Sequence, residues 1–185
     1  MSPPLPAAAP ALEPPRPLDG PISAWVIANP SAGRGARRAA IDAAADAWSR
    51  RGWTVTRRWT AGGGDATALA RAAAAAGADV VAVAGGDGTV NEAANGLVGS
   101  RAALAVLPSG TANVLAAQLG LVGWPSPMRS PDVSAAAEAL ANGRVNRIDL
   151  GLARPTGAAP RHFVLWAGVG IDAEVVRRVE GPSRH

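Results

Sequence analysis

The sequence contains no cysteine and no lysine, and these two absences exclude several kinds of chemistry. Without cysteine there is neither a disulfide framework nor a thiolate metal site. Without lysine there is no ordinary phosphate-binding P-loop, no eukaryotic-type protein kinase site and no Schiff-base chemistry, because each of these uses a lysine side chain. All 18 basic residues are therefore arginines.

Histidine and aromatic residues are also scarce. Both histidines, His162 and His185, lie late in the chain, which excludes a histidine-based triad or zinc site earlier on. Six tryptophans and one phenylalanine are the aromatic residues, and alanine supplies much of the 48% hydrophobic content. That content is enough for a core, and a length of 185 residues suits one domain, or one domain and the start of another.

Long apolar runs and targeting signals are missing as well. No run approaches the roughly 18 residues of a membrane span, and no basic segment leads into a secretory apolar region. The sequence therefore predicts a soluble, cytoplasmic protein. The net charge of +4 and the pI near 11.3 suit an acidic partner such as nucleotide phosphate, nucleic acid or an anionic bilayer. Nucleic acid is disfavoured, because the arginines are spread out and no aromatic stacking platform accompanies them.

The order of apolar segments predicts the fold class. Residues 1–20 are rich in proline and alanine, and we expect a disordered extension there. Further along, β-branched segments alternate with alanine-rich segments of helical spacing, and this alternation predicts an α/β fold with a parallel sheet flanked by helices. The predicted strands are 22–28, 53–59, 79–84 and 102–107, and the predicted helices are 36–51, 66–76 (with Asp65 as its cap), 89–98 and 134–142.

The most informative stretch runs from Val83 to Glu92, with the sequence VAGGDGTVNE. A buried strand is expected before its glycines, and a helix after them with Thr89 or Asp87 capping the first turn. A glycine turn leading into a helix favours an anion, because free N–H groups and the helix dipole point at it. Asp87 would repel phosphate, so we expect it to hold a metal ion, anchor the loop, or accept a proton from a hydroxyl.

Three other polar loops follow predicted strands, at 29–35, 60–64 and 108–113. Because parallel strands end at one edge of their sheet, we expect these loops to converge on the glycine turn and build a site for a phosphate-bearing ligand. The first loop is not a dinucleotide fingerprint, since Arg38 stands where the last glycine is required. The arginines at 34, 37 and 38 either contact phosphate or lie on an exposed helix face.

Three motifs taken together resemble the diacylglycerol kinase catalytic domain family. That family includes bacterial lipid kinases and sphingosine kinases, and it shares a superfamily with the NAD kinases. The resemblance covers about residues 22–180. It implies a Rossmann-like first domain and a kinase that uses ATP and Mg²⁺ to phosphorylate a lipid hydroxyl. The motifs are Asn29-Pro30-Ser31-Ala32-Gly33, Gly85-Gly86-Asp87-Gly88-Thr89-Val90-Asn91-Glu92 followed by Asn95-Gly96, and Pro108-Ser109-Gly110-Thr111-Ala112-Asn113.

The resemblance also implies roles for single residues. Asp87 would take a direct part in phosphoryl transfer, as a base or as an organiser of magnesium. Apart from the resemblance, Glu92 lies about one helical turn after Asp87, where we expect it either to orient Asn91 or the water shell of the metal, or to serve as a first-turn capping carboxylate. Many members have Asp where this chain has Val114. Nucleotide contacts are implied for Asn29, Pro30, Ser31, Ala32, Gly33, Thr60, Gly85, Gly86, Asp87, Gly88, Thr89, Val90, Asn91, Glu92 and Thr111.

The end of the chain suggests a second unit. We expect residues 21–143 to form the nucleotide-binding domain and residues 144–185 to begin a β-rich domain. In that second unit, a strand over 144–153 and a hairpin partner over 162–167 would leave an unpaired edge. Family members run to about 300 residues, so the remaining strands and their acidic residues would follow Arg184. The sequence is therefore interpreted as the N-terminal half of a lipid kinase, and we do not expect it to be active alone.

Two other functions remain open at this stage. One is a NAD kinase-like phosphotransferase, which shares the Gly-Gly-Asp-Gly core, although Asn91-Glu92 and Asn95-Gly96 match the lipid branch. The other is a non-catalytic nucleotide-binding module. For the lipid kinase, the resemblance implies a lipid such as diacylglycerol as substrate and peripheral contact with the inner membrane face, and a homodimer is a possible assembly.

Overall fold

The computed structural model describes residues 14–32, 37–122 and 132–165, together with 167–168, 170–171, 173–174 and 178. Within those ranges, no helix is long and apolar enough to cross a membrane. The elements in chain order are β1 (Arg16–Pro17), β2 (Ser23–Ala28), α1 (Arg37–Arg50), β3 (Thr54–Trp59), α2 (Asp65–Ala75), β4 (Val80–Gly85), α3 (Asp87–Leu97), β5 (Ala103–Pro108), α4 (Val114–Gln118), α5 (Val133–Ala141), β6 (Arg144–Val145), β7 (Gly151–Ala153) and β8 (Arg161–Phe163).

Four parallel strands form the central sheet, in the order β3-β2-β4-β5. The register places Ala28 beside both Trp59 and Ala84, and Gly85 beside Pro108, so all four strands end at the same level. Every residue of β4 is buried, as expected for a central strand covered by helices on both faces. The predicted Rossmann-like α/β fold is confirmed.

The helices form one layer on each face of this sheet. Helices α1 and α5 pack on one face around Trp48, whose indole Nε1 donates to the carbonyl oxygen of Ala137 at 2.9 Å. Helices α2 and α3 pack on the other face through small residues. A Cβ on Gly96 would lie only 2.4 Å from the carbonyl oxygen of Thr67, so α2 and α3 are in near-backbone contact. Small residues on this face therefore allow a close approach that bulkier side chains would prevent.

The start of α3 differs from the prediction. The helix begins at Asp87 rather than Thr89, and its N-cap is Gly86 in an extended conformation. The side chains of Asp87 and Thr89 do not cap it, and the structure gives each of them another partner. The local pattern identified residues able to cap, but Thr89 accepts from Asn29 of the β2–α1 loop and Asp87 accepts from Leu115 of α4 instead.

The start of α2 also differs. Its N-cap is Gly64, which has a left-handed φ of 85°, and Asp65 is the first helical residue instead of the cap. The Asp65 Oδ2 atom accepts hydrogen bonds from the backbone N–H groups of Ala61 at 2.7 Å and Gly62 at 3.0 Å. The carboxylate therefore folds the preceding glycine loop back onto the helix start.

The predicted strand over 144–153 is two separate strands. Strand β6 pairs antiparallel with β1, so residues 16–17, which the sequence assigned to a disordered extension, form a short ladder. Strand β7 pairs antiparallel with β8, with Leu152 opposite His162, as expected for the hairpin. Residues 1–13 and, within the stretch 168–173, residues 169 and 172 lie outside the described residues. The domain boundary at residue 143 stays a prediction.

Candidate functional site

The turn between β4 and α3 lies at the carboxyl edge of the sheet, and the β2–α1 loop is bonded to it. The Asn29 Nδ2 atom donates to Thr89 Oγ1 at 3.2 Å, and Asn29 Oδ1 accepts from the N–H of Ser31 at 2.9 Å. Thr89 lies directly over Gly85, where an added Cβ would be 2.6 Å from the Thr89 Cβ. Glycine at position 85 is therefore needed for Thr89 to reach the first loop.

The β5–α4 loop packs directly against the same turn. A Cβ on Gly110 would lie 2.4 Å from the Cα of Gly86, so the two loops touch backbone to backbone. Asn113 holds the β5–α4 loop in shape, because its Oδ1 accepts from the N–H of Gly110 and its Nδ2 donates to the Gly110 carbonyl, both at 2.8 Å. Asn113 is buried and has a φ of 51°, a left-handed conformation that asparagine tolerates.

The β3–α2 loop is joined to α3 by Glu92. The Glu92 Oε2 atom accepts the N–H of Gly64 at 3.0 Å, and its backbone carbonyl accepts from Thr67 Oγ1 at 2.8 Å. Glu92 therefore accepts, from a neighbouring helix, the N–H of the N-cap residue of α2, one of the donors that the start of a helix leaves without an intrahelical partner. From the sequence, a capping role for Glu92 was expected within its own helix, α3. In the structure Glu92 bonds instead to the start of the neighbouring helix, α2.

Two substitutions of Glu92 separate this bond from a role that depends on charge. Glu92→Gln keeps an acceptor oxygen for the Gly64 N–H, whereas Glu92→Ala removes it. We expect Glu92→Ala to lower the free energy of unfolding by about 1 kcal/mol, in the range of a lost helix cap. We expect Glu92→Gln to lower it by less than half as much, measured by urea unfolding of each variant. Equal losses in the two variants would show that the negative charge matters more than the hydrogen bond.

Asp87 lies where the glycine turn meets a cavity of about 220 Å³. The cavity is bounded by the first turn of α3 on one side and by the end of β8 and the residues after it on the other. The Asp87 Oδ1 atom accepts the N–H of Leu115 at 3.3 Å, which ties the carboxylate to the start of α4. A carboxylate so placed can accept a proton from a hydroxyl group in the cavity. The lining residues are Asp87, Val90, Asn91, Phe163, Val164 and Leu165.

Two asparagines of α3 hold the hairpin that carries this wall. Asn95 donates from Nδ2 to the carbonyl of His162 at 2.8 Å and accepts the N–H of His162 at Oδ1, at 2.9 Å. Asn91 accepts the N–H of Val164 at Oδ1, at 3.1 Å. The expected unpaired hairpin edge is thus partly occupied by side-chain amides. The sequence analysis gave no role to Asn95, although two asparagines four residues apart share one helix face.

The other predicted site residues are distributed around this edge. Thr60 follows β3 directly, is only 8% exposed, and donates its backbone N–H to the carbonyl of Ala28 at 2.9 Å. Pro30, Ser31 and Thr111 are exposed in their loops. Gly33 lies outside the described residues. The residues of the apolar cavity wall, 163–165, were missed by the sequence analysis, because nothing local to them indicates a site.

The family model for the diacylglycerol kinase catalytic domain matches residues 23–153. The match includes the central sheet and all four loops at its carboxyl edge. The chain belongs to this family. The resemblance predicted from the three motifs is confirmed.

Two curated relatives extend the match beyond the family model. A diacylglycerol kinase from Bacillus subtilis is 35% identical over 163 residues, which cover 87% of this chain and 49% of that protein. A diacylglycerol kinase from Mycobacterium tuberculosis is 34% identical over 149 residues, which cover 80% of this chain and 46% of that protein. The chain therefore spans about half the length of the curated relatives it matches.

A solved structure supports the fold of this family member. A diacylglycerol kinase from Bacillus anthracis superposes with a TM-score of 0.53 at 29% sequence identity, and the superposition covers 64% of this chain and 42% of that chain.

Proposed function

We propose that this chain is the nucleotide-binding part of an ATP-dependent lipid kinase, which transfers the γ-phosphate to a lipid hydroxyl such as that of diacylglycerol. The observation that carries the proposal is the position of Asp87, at the glycine turn and on an otherwise largely apolar cavity. Family membership supports the reaction class, since the curated relatives from Bacillus subtilis and Mycobacterium tuberculosis are named diacylglycerol kinases.

The glycine turn supports the phosphate-binding part of this proposal. In the described part of the chain no side chain caps α3, so the N–H groups of its first turn are open to an anion, which the helix dipole also favours. A Cβ added at Gly88 would meet nothing within 4 Å, so there is room over the turn. We propose that the phosphates lie over residues 85–92, with 29–33, Thr60 and Thr111 bordering the nucleotide.

The chemistry assigned to Asp87 is proton acceptance. The acceptor hydroxyl oxygen bonds to the γ-phosphorus, the bond from that phosphorus to the bridging oxygen breaks, and ADP leaves. The hydroxyl proton passes to the Asp87 carboxylate. Positioning and charge neutralisation lower most of the barrier in such reactions, so the loops that fix Asp87 beside the turn matter as much as its basicity. The alternative role of Asp87 is to organise magnesium.

Magnesium fits the donors present at this site. Among the residues that the structure describes, no three His, Cys, Asp or Glu side chains gather into a metal-binding group. Magnesium in kinases is commonly held by one or two carboxylates together with the phosphates of the nucleotide, and Asp87 can supply such a carboxylate. When bound, the ion would neutralise phosphate charge.

A thermal shift experiment with Mg-ATP tests the nucleotide site. We expect saturating Mg-ATP to raise the melting temperature by about 5–10 °C, the shift expected for a ligand at a hundred times its Kd. Mg-NAD is the comparison ligand, because a NAD kinase-like enzyme would also be stabilised by NAD. Absence of stabilisation by any nucleotide would remove the proposal.

A transfer assay tests the acceptor. The chain is not expected to be active alone, but any label that it transfers from γ-labelled ATP should appear in diacylglycerol presented in mixed micelles rather than in NAD. Labelled NAD would favour the NAD kinase-like alternative. Stabilisation by Mg-ATP without transfer to either acceptor would favour a nucleotide-binding module or a half-enzyme. Because a diacylglycerol acceptor resides in a bilayer, we also propose a cytoplasmic location with peripheral membrane contact; a homodimer remains a proposal.

A further inference from the structure

The side chains of Asn91 and Asn95 form hydrogen bonds to the backbone along β8 and just after it, in the place where a neighbouring strand would bond. Alternate residues of a strand direct their N–H and C=O groups to the same edge. His162 faces Leu152 of β7 across the hairpin but directs both of its backbone groups to Asn95. Val164, two residues further on, directs its N–H to Asn91. The edge of β8 away from β7 is thus bonded by side-chain amides.

The spacing of the two asparagines matches the spacing of the strand. Four residues of an α-helix advance about 6 Å along its axis, and two residues of a strand advance about 6.6 Å. Asn91 and Asn95 on the helix can therefore meet Val164 and His162 on the strand in antiparallel register. Asn95 is itself braced, because its Nδ2 also donates to the carbonyl of Asn91 at 2.9 Å.

The same helix face carries Asp87, one turn before Asn91. Asp87 lines the cavity from α3, and residues 163–165 line it from the opposite side. The width of the cavity is therefore set by how firmly β8 is held to α3. At the neighbouring position 96 only glycine fits, and this allows α3 to pack closely against α2.

We infer that Asn95 is a positioning residue, which together with Asn91 holds the apolar wall at 163–165 at a fixed distance from Asp87. This inference rests on the proposed function, since it assigns the wall to the lipid acceptor. It states that acceptor binding depends on Asn95, whereas nucleotide binding at the glycine turn does not.

The hydrogen bonds of Asn91 and Asn95 to Val164 and His162, here called the clamp, can be tested by hydrogen exchange of single amides without any ligand. In Asn95→Ala we expect the His162 amide to exchange at least about tenfold faster, as for the loss of one or two hydrogen bonds, while amides of β4 keep their rates. Asn95→Asp should raise the rate less, because it keeps the acceptor for the His162 N–H and loses only the donor to the His162 carbonyl. Asn91→Asp keeps its acceptor oxygen and should leave the Val164 amide protected. Asn142→Ala, an exposed asparagine at the end of α5, is the matched control.

Ligand titrations test the positioning role. With dioctanoylglycerol as the probe, followed at the amides of residues 163–165, we expect Asn95→Ala to raise the Kd at least about tenfold, equivalent to 1.4 kcal/mol. The Kd for Mg-ATP should change by less than about twofold, because the glycine turn keeps its own contacts.

Each outcome separates the clamp from the proposed function. An increase at His162 no larger than that at β4 would overturn the clamp. Faster exchange at His162 with unchanged dioctanoylglycerol affinity would overturn the positioning role. A wild-type chain that binds neither Mg-ATP nor dioctanoylglycerol would overturn the proposed function, while selective exchange at His162 would still support the clamp.

Discussion

Asp87→Asn is expected to lower whatever phosphate transfer the wild-type chain shows by about a thousandfold, within the range for loss of a general base, while Mg-ATP still raises the melting temperature of the variant. The amide has nearly the shape of the carboxylate and can still accept the Leu115 N–H, so the fold and the start of α4 should be kept. What is lost is the ability to take up the hydroxyl proton. Transfer is measured under single-turnover conditions with γ-labelled ATP and dispersed diacylglycerol, relative to the wild-type chain.

Asp46→Asn is the matched control for Asp87→Asn. Asp46 lies on α1, where it is paired with Arg57 on the surface, away from the glycine turn. An exposed ion pair of this kind contributes at most about 1 kcal/mol, so transfer and stabilisation by Mg-ATP should both survive. If Asp87→Asn loses stabilisation by Mg-ATP together with transfer, Asp87 acts through the metal and the nucleotide, and its assignment as a base is wrong.

Alanine at two glycines of α3 is expected to change stability in opposite directions. Gly96→Ala should lower the free energy of unfolding by about 2–3 kcal/mol, because the new Cβ would meet the Thr67 carbonyl at 2.4 Å and α2 would have to move. Gly88→Ala should raise it by about 0.5–1 kcal/mol, because the added Cβ meets nothing and alanine restricts the unfolded chain. Urea unfolding of both variants, monitored by circular dichroism, measures the difference.

Nucleotide affinity supplies the second readout for this pair. If the phosphates lie over the turn, the Cβ in Gly88→Ala intrudes on them, and the more stable variant should be less stabilised by Mg-ATP. Gly96→Ala should retain a shift of wild-type size in the fraction that folds, since the turn itself is unchanged. If both substitutions destabilise the protein, the predicted stabilisation by Gly88→Ala is wrong, and the open space beside Gly88 does not allow alanine without cost.

The central sheet was predictable because its signals are local. The run Val80–Ala84 is apolar over its whole length and rich in valine, its short length favours a buried strand over a helix, and the glycines after it mark its end. Parallel topology then places the four loops at one edge without further information. The family resemblance rests on the same loops, which explains why sequence motifs and fold agreed.

The bonds between the loops were not predictable from local patterns. Asp87 and Thr89 have the chemistry of a cap for α3, yet Asp87 accepts from the start of α4 and Thr89 from the β2–α1 loop. Glu92 of α3 accepts from Gly64, the N-cap residue of α2, 28 positions away in sequence. Competition between a local and a distant partner depends on distances that exist only after the sheet has formed. The cavity wall at 163–165 was missed for the same reason, since α3 reaches it across more than 70 positions.

The contact between Gly86 and Gly110 means that the two loops cannot vary independently. A side chain at position 110 would require the backbone at position 86 to withdraw, and the reverse move would open a gap beneath the β5–α4 loop. In a double-mutant cycle the two positions should show strong non-additivity, and a loop transplanted from a relative should function only when its counterpart is exchanged with it. In mutational or recombination libraries, positions 86 and 110 should therefore be varied together.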